Sequence, residues 1–156
     1  MKNHILGFLL LLSFVFMVSA QTKETQKFDE FGNISCDDLT SRLEVFFLEL
    51  KGDKTLKGYV LIYEGNLLIP LYNKDGKTVR PRRGEAKGFI KSMQSREKFY
   101  SFYDKRIVFI ESGFRKNFTV ELWLVPNGAA LPKLTPTLKK MKYRKGKPPE
   151  DICKYI

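Results

Sequence analysis

Residues 58–64 read GYVLIYE, a continuous apolar and aromatic run of the length of one strand. Apolar runs without alternation are typical of strands that are buried on both faces of a sheet. We therefore predict that this segment is the central strand of the fold, and the segments around it are interpreted as its neighbours.

An amphipathic helix is predicted immediately upstream. Ser35 is a good N-cap, and Asp37 and Asp38 follow in the first turn, where the helix dipole favours carboxylates. The helix should stop near residues 51–52, with Gly52 as its C′ residue. Its apolar stripe recurs at three- and four-residue steps and consists of Cys36, Leu39, Leu43, Phe46, Phe47 and Leu50.

The downstream half adds a second helix and two strands. NKDGK at residues 73–77 is a tight turn, which predicts a small hairpin of residues 67–72 with residues 78–79. Pro81 and Gly84 introduce the second helix. Strands are predicted at residues 106–112 and 117–125, joined by residues 113–116, and the second alternates as a half-buried antiparallel strand does. The resulting fold class is α+β, a two-layer sandwich with the order β-α-β-α-β-β.

The first 20 residues are expected to be an export signal. Lys2 precedes the apolar run ILGFLLLLSFVFMV at residues 5–18, and Val18-Ser19-Ala20 suits cleavage after Ala20. The alternative is an uncleaved membrane anchor, but the run is shorter than the roughly 20 residues that span a bilayer. We expect a secreted or periplasmic protein without a transmembrane segment after cleavage.

The remaining chain is predicted to form one domain and a tail. Residues 21–126 hold the α+β pattern, and residues 127–156, the C-terminal tail, are rich in proline and lysine. Within the C-terminal tail, residues 133–147 include seven basic residues and no acidic one. We predict that it runs back over the domain. Its basic residues either dock on an anionic polymer or lipid, or serve only solubility.

Cysteine and histidine usage limits the chemistry. Cys36 and Cys153 are the two cysteines, and in an oxidising compartment they are expected to form one disulfide, although two free thiols are the alternative. His4 is the one histidine and would leave with the signal, which removes the usual general base and the histidine-containing zinc sites. The expectation is therefore a protein that is not an enzyme and that needs neither a cofactor nor a metal.

The element order, with FDEFG at residues 28–32 opening the first strand, resembles the C-terminal, peptidoglycan-associating domain of outer-membrane protein A. The segments FDEFG, RRGEA and TVELWLVP are also similar to those of uncharacterised exported bacterial proteins. The resemblance covers residues 27–125. It implies binding of the diaminopimelate of peptidoglycan by an Asp after the central strand and an Arg in the second helix. Here Glu64-Gly65-Asn66 follows that strand, and Arg96 lies one residue out of step in the helix.

Basic residues at the start of the second helix are the candidate binding site. Guanidinium groups beside helix N–H groups can hold a carboxylate or a phosphate; the alternative is a solvated, charged loop. The candidate ligand-binding residues are Glu64, Asn66, Arg80, Arg82, Arg83, Lys87 and Arg96. Trp123 either packs under a helix or is exposed for binding.

Two functions remain open at the level of the sequence. The first is an exported, non-catalytic cell-envelope binding module that engages an anionic component such as peptidoglycan. The second is a structural or protein–protein interaction domain of an envelope complex. With pI ≈ 9.6 a nucleic acid would also suit the charge, but an exported protein rarely meets one, so no nucleic-acid partner is expected.

Overall fold

A computed structural model describes residues 24–68, 78–99 and 105–148. The predicted export signal, Cys153 and the end of the C-terminal tail lie outside these residues. The described part contains two helices and five strands, so the predicted combination of two helices with a sheet is confirmed. The elements in chain order are β1 (Gln26–Phe31), α1 (Cys36–Gly52), β2 (Leu56–Leu68), β3 (Thr78–Val79), α2 (Glu85–Phe99), β4 (Ile107–Asn117) and β5 (Thr119–Pro126).

Strand β2 is the centre of the sheet, as its unbroken apolar run predicts. Its residues pair with β5 in antiparallel fashion and with β4 in parallel fashion, and β1 pairs with β5 on the outside. The end of β2 pairs with β3 through Leu67 and Val79, which confirms the predicted hairpin in the described residues. The sheet is thus mostly antiparallel with one parallel pair.

Helix α1 follows the capping and burial pattern of its sequence. The Ser35 hydroxyl accepts a hydrogen bond from the Asp38 N–H, at 3.2 Å. The predicted apolar stripe is buried from Leu39 to Leu50. The predicted role of Gly52 as the C′ residue is wrong, because the helix continues through Gly52 and the Asp53 N–H then bonds to the Glu49 carbonyl.

The main core lies between the helices and one face of the sheet. Val60 and Ile62 of β2 and Val120 and Leu122 of β5 are all buried on this face. Gly58 lets α1 approach β2 closely, because a Cβ there would come within 2.8 Å of the Leu50 and Phe46 side chains.

The opposite face of the sheet is partly covered by the C-terminal tail. Tyr63 and Glu121 point to this face and are buried. The Thr135 N–H donates to the Tyr63 hydroxyl at 3.2 Å, and Thr137 and Leu138 donate backbone hydrogen bonds to the Phe114 carbonyl. The β5 alternation predicted a half-buried strand, but Glu121 and Val125 on the second face are buried as well.

The connection between β4 and β5 differs from the prediction. Residues 113–116 do not form a turn, because β4 continues through them to Asn117. Strands β4 and β5 flank opposite edges of β2, and the chain crosses from one edge to the other over Gly65. A Cβ on Gly65 would lie 2.1 Å from the Asn117 carbonyl carbon and 2.3 Å from the Phe118 nitrogen. Gly113 has φ +91°, and a Cβ there would come within 3.1 Å of the Pro136 side chain, so β4 passes close to the tail at this point without reversing.

Candidate functional site

A cleft of about 380 Å³, called the α2 cleft below, lies where the end of β2 meets the start of α2. Strand β4 forms a second wall, and Tyr143 of the C-terminal tail closes one side. The cleft contains both acidic and basic side chains. Its lining residues are Ile62, Glu64, Arg83, Gly84, Ala86, Lys87, Glu111, Gly113, Phe114 and Tyr143.

Glu64 joins three segments at the base of the α2 cleft. One carboxylate oxygen accepts a hydrogen bond from the Ala86 N–H in the first turn of α2, at 3.5 Å. The other accepts from the Tyr143 hydroxyl, at 2.5 Å. Burial and the neighbouring Glu64 carboxylate raise the pKa of Tyr143 to about 12, so Tyr143 stays a hydrogen-bond donor at neutral pH.

Arg83 and Lys87 are the exposed cations of the α2 cleft. The Arg83 guanidinium carbon lies 5.0 Å from the centre of the Tyr143 ring, a cation–π contact that orients the side chain. Lys87 is one turn further along α2 and is also exposed. Because Glu64 is already hydrogen-bonded within the protein, the two cations and the exposed Glu111 are left to meet a ligand. The arrangement suits a carboxylate, with Glu111 available for a cationic group.

The structure separates the remaining candidates. Arg82 lines a second, smaller cavity and not the α2 cleft, and Asn66 pairs with Asn117 on β4. Arg80 is exposed between β3 and α2. Arg96 belongs to α2, but its side chain is outside the part of the chain that the structure describes. Of the seven candidate residues, the α2 cleft brings together Glu64, Arg83 and Lys87.

A cluster of Arg82, Glu85 and Arg144 surrounds a cavity of about 120 Å³, and of these residues Glu85 is buried and the two arginines are partly exposed. Arg144 donates to one Glu85 oxygen at 3.3 Å. Burial raises the pKa of Glu85, and the hydrogen bonds and charges of Arg82 and Arg144 oppose that shift without cancelling it. The cavity is called the inner cavity below.

A second ionic network lies on the tail-covered face of the sheet. The Glu121 carboxylate, 2% exposed, accepts from Arg115 at 2.8 Å, from Lys27 at 3.0 Å and from the Trp123 indole at 3.0 Å. Arg115 stacks on the Tyr63 ring, with 3.7 Å between the guanidinium carbon and the ring centre. Trp123 therefore lies on the face away from the helices, half-buried, and its N–H is occupied.

Sequence reasoning missed Glu111, Tyr143 and Arg144 as site residues. Tyr143 and Arg144 are far along the chain from α2, and only the return of the tail brings them there, through an Arg144 N–H bond to the Pro81 carbonyl. A tyrosine inside a run of lysines was the available signal for this contact.

Cys36 is disulfide-bonded. The pairing with Cys153 stays a prediction, since Cys153 lies outside the described residues.

Two further observations concern metals and membranes. In residues 24–68, 78–99 and 105–148, no three His, Cys, Asp or Glu side chains lie close enough together to hold a metal ion. Among the same residues, neither helix has the length and apolarity that a bilayer-spanning helix needs.

Comparison with protein-family models, with curated proteins and with solved structures found no match for this chain. The resemblance in element order to the outer-membrane protein A domain therefore stays a prediction.

Proposed function

We propose that this chain is an exported, non-catalytic binding module of the cell envelope, and that its α2 cleft engages a carboxylate-bearing component such as peptidoglycan. The observation that carries the proposal is the position of two exposed cations, Arg83 and Lys87, over the first turn of α2. The dipole of α2 favours an anion at this end of the helix, and because the Ala86 N–H is already bonded to Glu64, the two side chains would hold the ligand carboxylate.

The internal bonds of the α2 cleft favour binding over a solvated loop. Tyr143 contacts Arg83 through its ring and Glu64 through its hydroxyl, so one basic side chain is held beside a fixed carboxylate. A side chain that is already oriented loses less conformational freedom when a ligand binds.

The charges of the α2 cleft also suit the chemistry of a peptide stem. A stem peptide carries carboxylates and, at a diaminopimelate, an ammonium group. Arg83 and Lys87 would bind the carboxylate, and Glu111 on the β4 wall would bind the ammonium. The assignment departs from the proposed likeness to the outer-membrane protein A domain in one respect. There the acidic residue follows the central strand, whereas here Glu111 lies on β4, and Glu64 at the end of the central run is held by the Ala86 N–H and Tyr143. The full chain has a net charge of +11, and loss of Lys2 with the proposed signal leaves +10, which would draw the protein to the anionic envelope at low ionic strength.

A second candidate function is a protein–protein interaction domain of an envelope complex. Val45 and Leu48 on the outer side of α1 are 51% and 58% exposed. Exposed apolar side chains on one helix face are typical of docking surfaces when they form a contiguous patch. Binding through such a face would depend little on salt.

Co-sedimentation with purified peptidoglycan sacculi over a salt series tests the proposal. The unmodified protein should pellet at low salt and progressively less at high salt, because screening weakens contacts between exposed charges. An Arg83→Ala/Lys87→Ala variant should pellet much less than the unmodified protein. The matched control is Lys139→Ala/Lys140→Ala, which removes the same charge from exposed positions of the C-terminal tail.

Equal losses in the two variants would mean that binding is non-specific attraction, and the α2 cleft would not be the site. If the unmodified protein does not pellet even at low salt, sacculus binding is wrong and the protein-partner function becomes the better account.

A further inference from the structure

The inner cavity is separate from the α2 cleft. It lies between the end of β2, the first turns of α2 and the C-terminal tail, and its volume is about 120 Å³. Three charged residues, Arg82, Glu85 and Arg144, line one side of it. Apolar side chains form the other side, namely Leu67, Phe89 and Phe118.

Each charged residue of the inner cavity has a buried polar atom without a hydrogen-bond partner among the described residues. These atoms are the Nε of Arg82, the Nε of Arg144 and one carboxylate oxygen of Glu85. Glu85 is only 5% exposed. Buried polar groups are nearly always hydrogen-bonded in folded proteins, so three unsatisfied atoms around one cavity give it the capacity to bind a small polar group or water.

The unsatisfied atoms define the chemistry of a ligand that would satisfy them. Two guanidinium N–H groups are donors and match the oxygens of a carboxylate. The free Glu85 oxygen is an acceptor and matches an N–H donor. An occupant that satisfies all three atoms therefore carries a carboxylate and a neighbouring N–H, and the apolar wall of Phe89 and Phe118 accommodates a small hydrocarbon group.

The volume of the inner cavity limits the size of the hydrocarbon group that the ligand can carry. An apolar cavity of about 150 Å³ accepts benzene, so the inner cavity has room for roughly the six heavy atoms of an alanine residue. Larger terminal side chains would meet the aromatic wall.

An open groove continues from the inner cavity. Asn33 and Phe118 line both the inner cavity and a groove of about 350 Å³, and Asn66 and Asn117 also line the groove. Asparagine amides both donate and accept hydrogen bonds, as the peptide groups of an extended chain require. The groove thus offers a path for a chain whose last residue lies in the inner cavity.

We propose that the inner cavity binds the C-terminal residue of a short peptide that ends in a small amino acid, with Arg82 and Arg144 on the carboxylate and Glu85 on the terminal N–H. The preceding residues lie in the groove beside Asn33, Asn66 and Asn117. A free α-amino acid shares the carboxylate and the N–H, but it would leave the groove empty. This site does not depend on the proposed function, since it shares no residue with the α2 cleft.

Isothermal titration of the full chain with synthetic peptides tests the proposal. The probes are alanyl-alanine, its C-terminally amidated form, free alanine, and alanyl-phenylalanine. We expect alanyl-alanine to bind at least about tenfold more tightly than the amidated form, which lacks the charged carboxylate. Alanyl-phenylalanine should bind weakly, because its terminal ring is too large for the inner cavity. These comparisons use the unmodified protein and do not depend on the folding of a variant.

Arg144→Lys keeps the charge but removes the Nε–H donor, and it should weaken alanyl-alanine binding about tenfold. The control is Arg80→Lys, an exposed arginine outside both the inner cavity and the α2 cleft, which should leave this binding unchanged. The proposal is overturned if none of the probes binds at millimolar concentration, or if the free and amidated peptides bind equally. If free alanine binds as tightly as alanyl-alanine, the carboxylate site stands and the role of the groove is overturned. Loss of sacculus binding in Arg83→Ala/Lys87→Ala leaves the peptide result unaffected, so the two proposals can fail independently.

Discussion

Replacing Gly65 with alanine probes the crossing of the chain over β2. The crossing places the backbone of Asn117 and Phe118 directly against Gly65. An added Cβ would come within 2.1 Å of the Asn117 carbonyl carbon, whereas ordinary van der Waals contacts begin at 3.4 Å. The obstructing atoms belong to the backbone, so no side-chain rotation relieves the overlap.

The expected loss in the free energy of unfolding depends on which atoms must move to make room for the Cβ. Inserting a methyl group into a packed core typically costs about 1–3 kcal/mol, even where side chains can adjust. Here the strands must also separate by roughly 1 Å, which breaks the hydrogen bond from the Phe118 N–H to the Asn66 carbonyl, at 3.0 Å. An unsatisfied buried backbone group adds about 1–3 kcal/mol. We expect Gly65→Ala to lower the free energy of unfolding by about 4 kcal/mol, a large part of the stability of a small domain.

Urea denaturation monitored by Trp123 fluorescence measures this change. With a slope of about 2 kcal/mol per molar urea, the midpoint should fall by about 2 M. The matched control is Gly52→Ala at the end of α1, where a Cβ meets nothing within 4 Å. Alanine is favoured over glycine in helices by about 0.5–1 kcal/mol, so the control should be unchanged or slightly stabilised. If Gly65→Ala loses less than about 1 kcal/mol, the chain does not cross β2 at Gly65 and the described topology is wrong.

Two further substitutions test the ionic network and the attachment of the C-terminal tail. Burial raises the pKa of Glu121, but its hydrogen bonds from basic side chains and the indole outweigh burial and lower the pKa below its ordinary value of 4.5. The stabilising effect of the Glu121 charge is therefore present above pH 4.5 and is lost as the pH falls through the lower folded-state pKa. Glu121→Gln should lower the free energy of unfolding by about 2–3 kcal/mol at pH 7 and by progressively less in acid. An equal loss at pH 7 and pH 3, measured by urea denaturation, would contradict the network. Tyr143→Phe removes the hydrogen bond to Glu64, so it should lower the free energy of unfolding by about 1 kcal/mol and speed proteolysis of the C-terminal tail. An unchanged cleavage rate would show that this bond does not hold the tail.

The parts of the fold that depend on local pattern were predictable. The Ser35 cap, the apolar stripe of α1 and the unbroken run of β2 each carry their signal within a few neighbouring residues. The turn-forming sequence NKDGK at residues 73–77 likewise predicted the pairing of β3 with the end of β2. In these segments the residues that decide the structure are adjacent in the chain.

The crossing between β4 and β5 was not predictable from local pattern. Gly113 and its charged neighbours have the composition of a turn, and the parallel pairing of β4 with β2, together with the bonds of the C-terminal tail to Phe114, keeps them extended. The burial of Glu121 has a similar origin. Its position in an alternating strand predicted exposure, but Arg115 and Lys27 satisfy its charge, and both reach it only after the sheet has formed.

The candidate site was predictable only in part, for the same reason. Arg83 and Lys87 could be found because they lie beside a predicted helix start. Arg82 belongs to the same basic run, yet it points to Glu85 and the inner cavity. The direction in which the Arg82 side chain points depends on the path of the C-terminal tail, and the sequence leaves that path open.

The most direct test of the proposed function is to map the binding surface by NMR. Isotope-labelled protein is titrated with a soluble peptidoglycan fragment that carries a diaminopimelate stem, and the amide shifts are followed. The account predicts that the largest changes fall at Glu64, at residues 84–87 and at Gly113, around the α2 cleft. Changes confined to the lysines of residues 139–147, or no changes at saturating fragment, would contradict it.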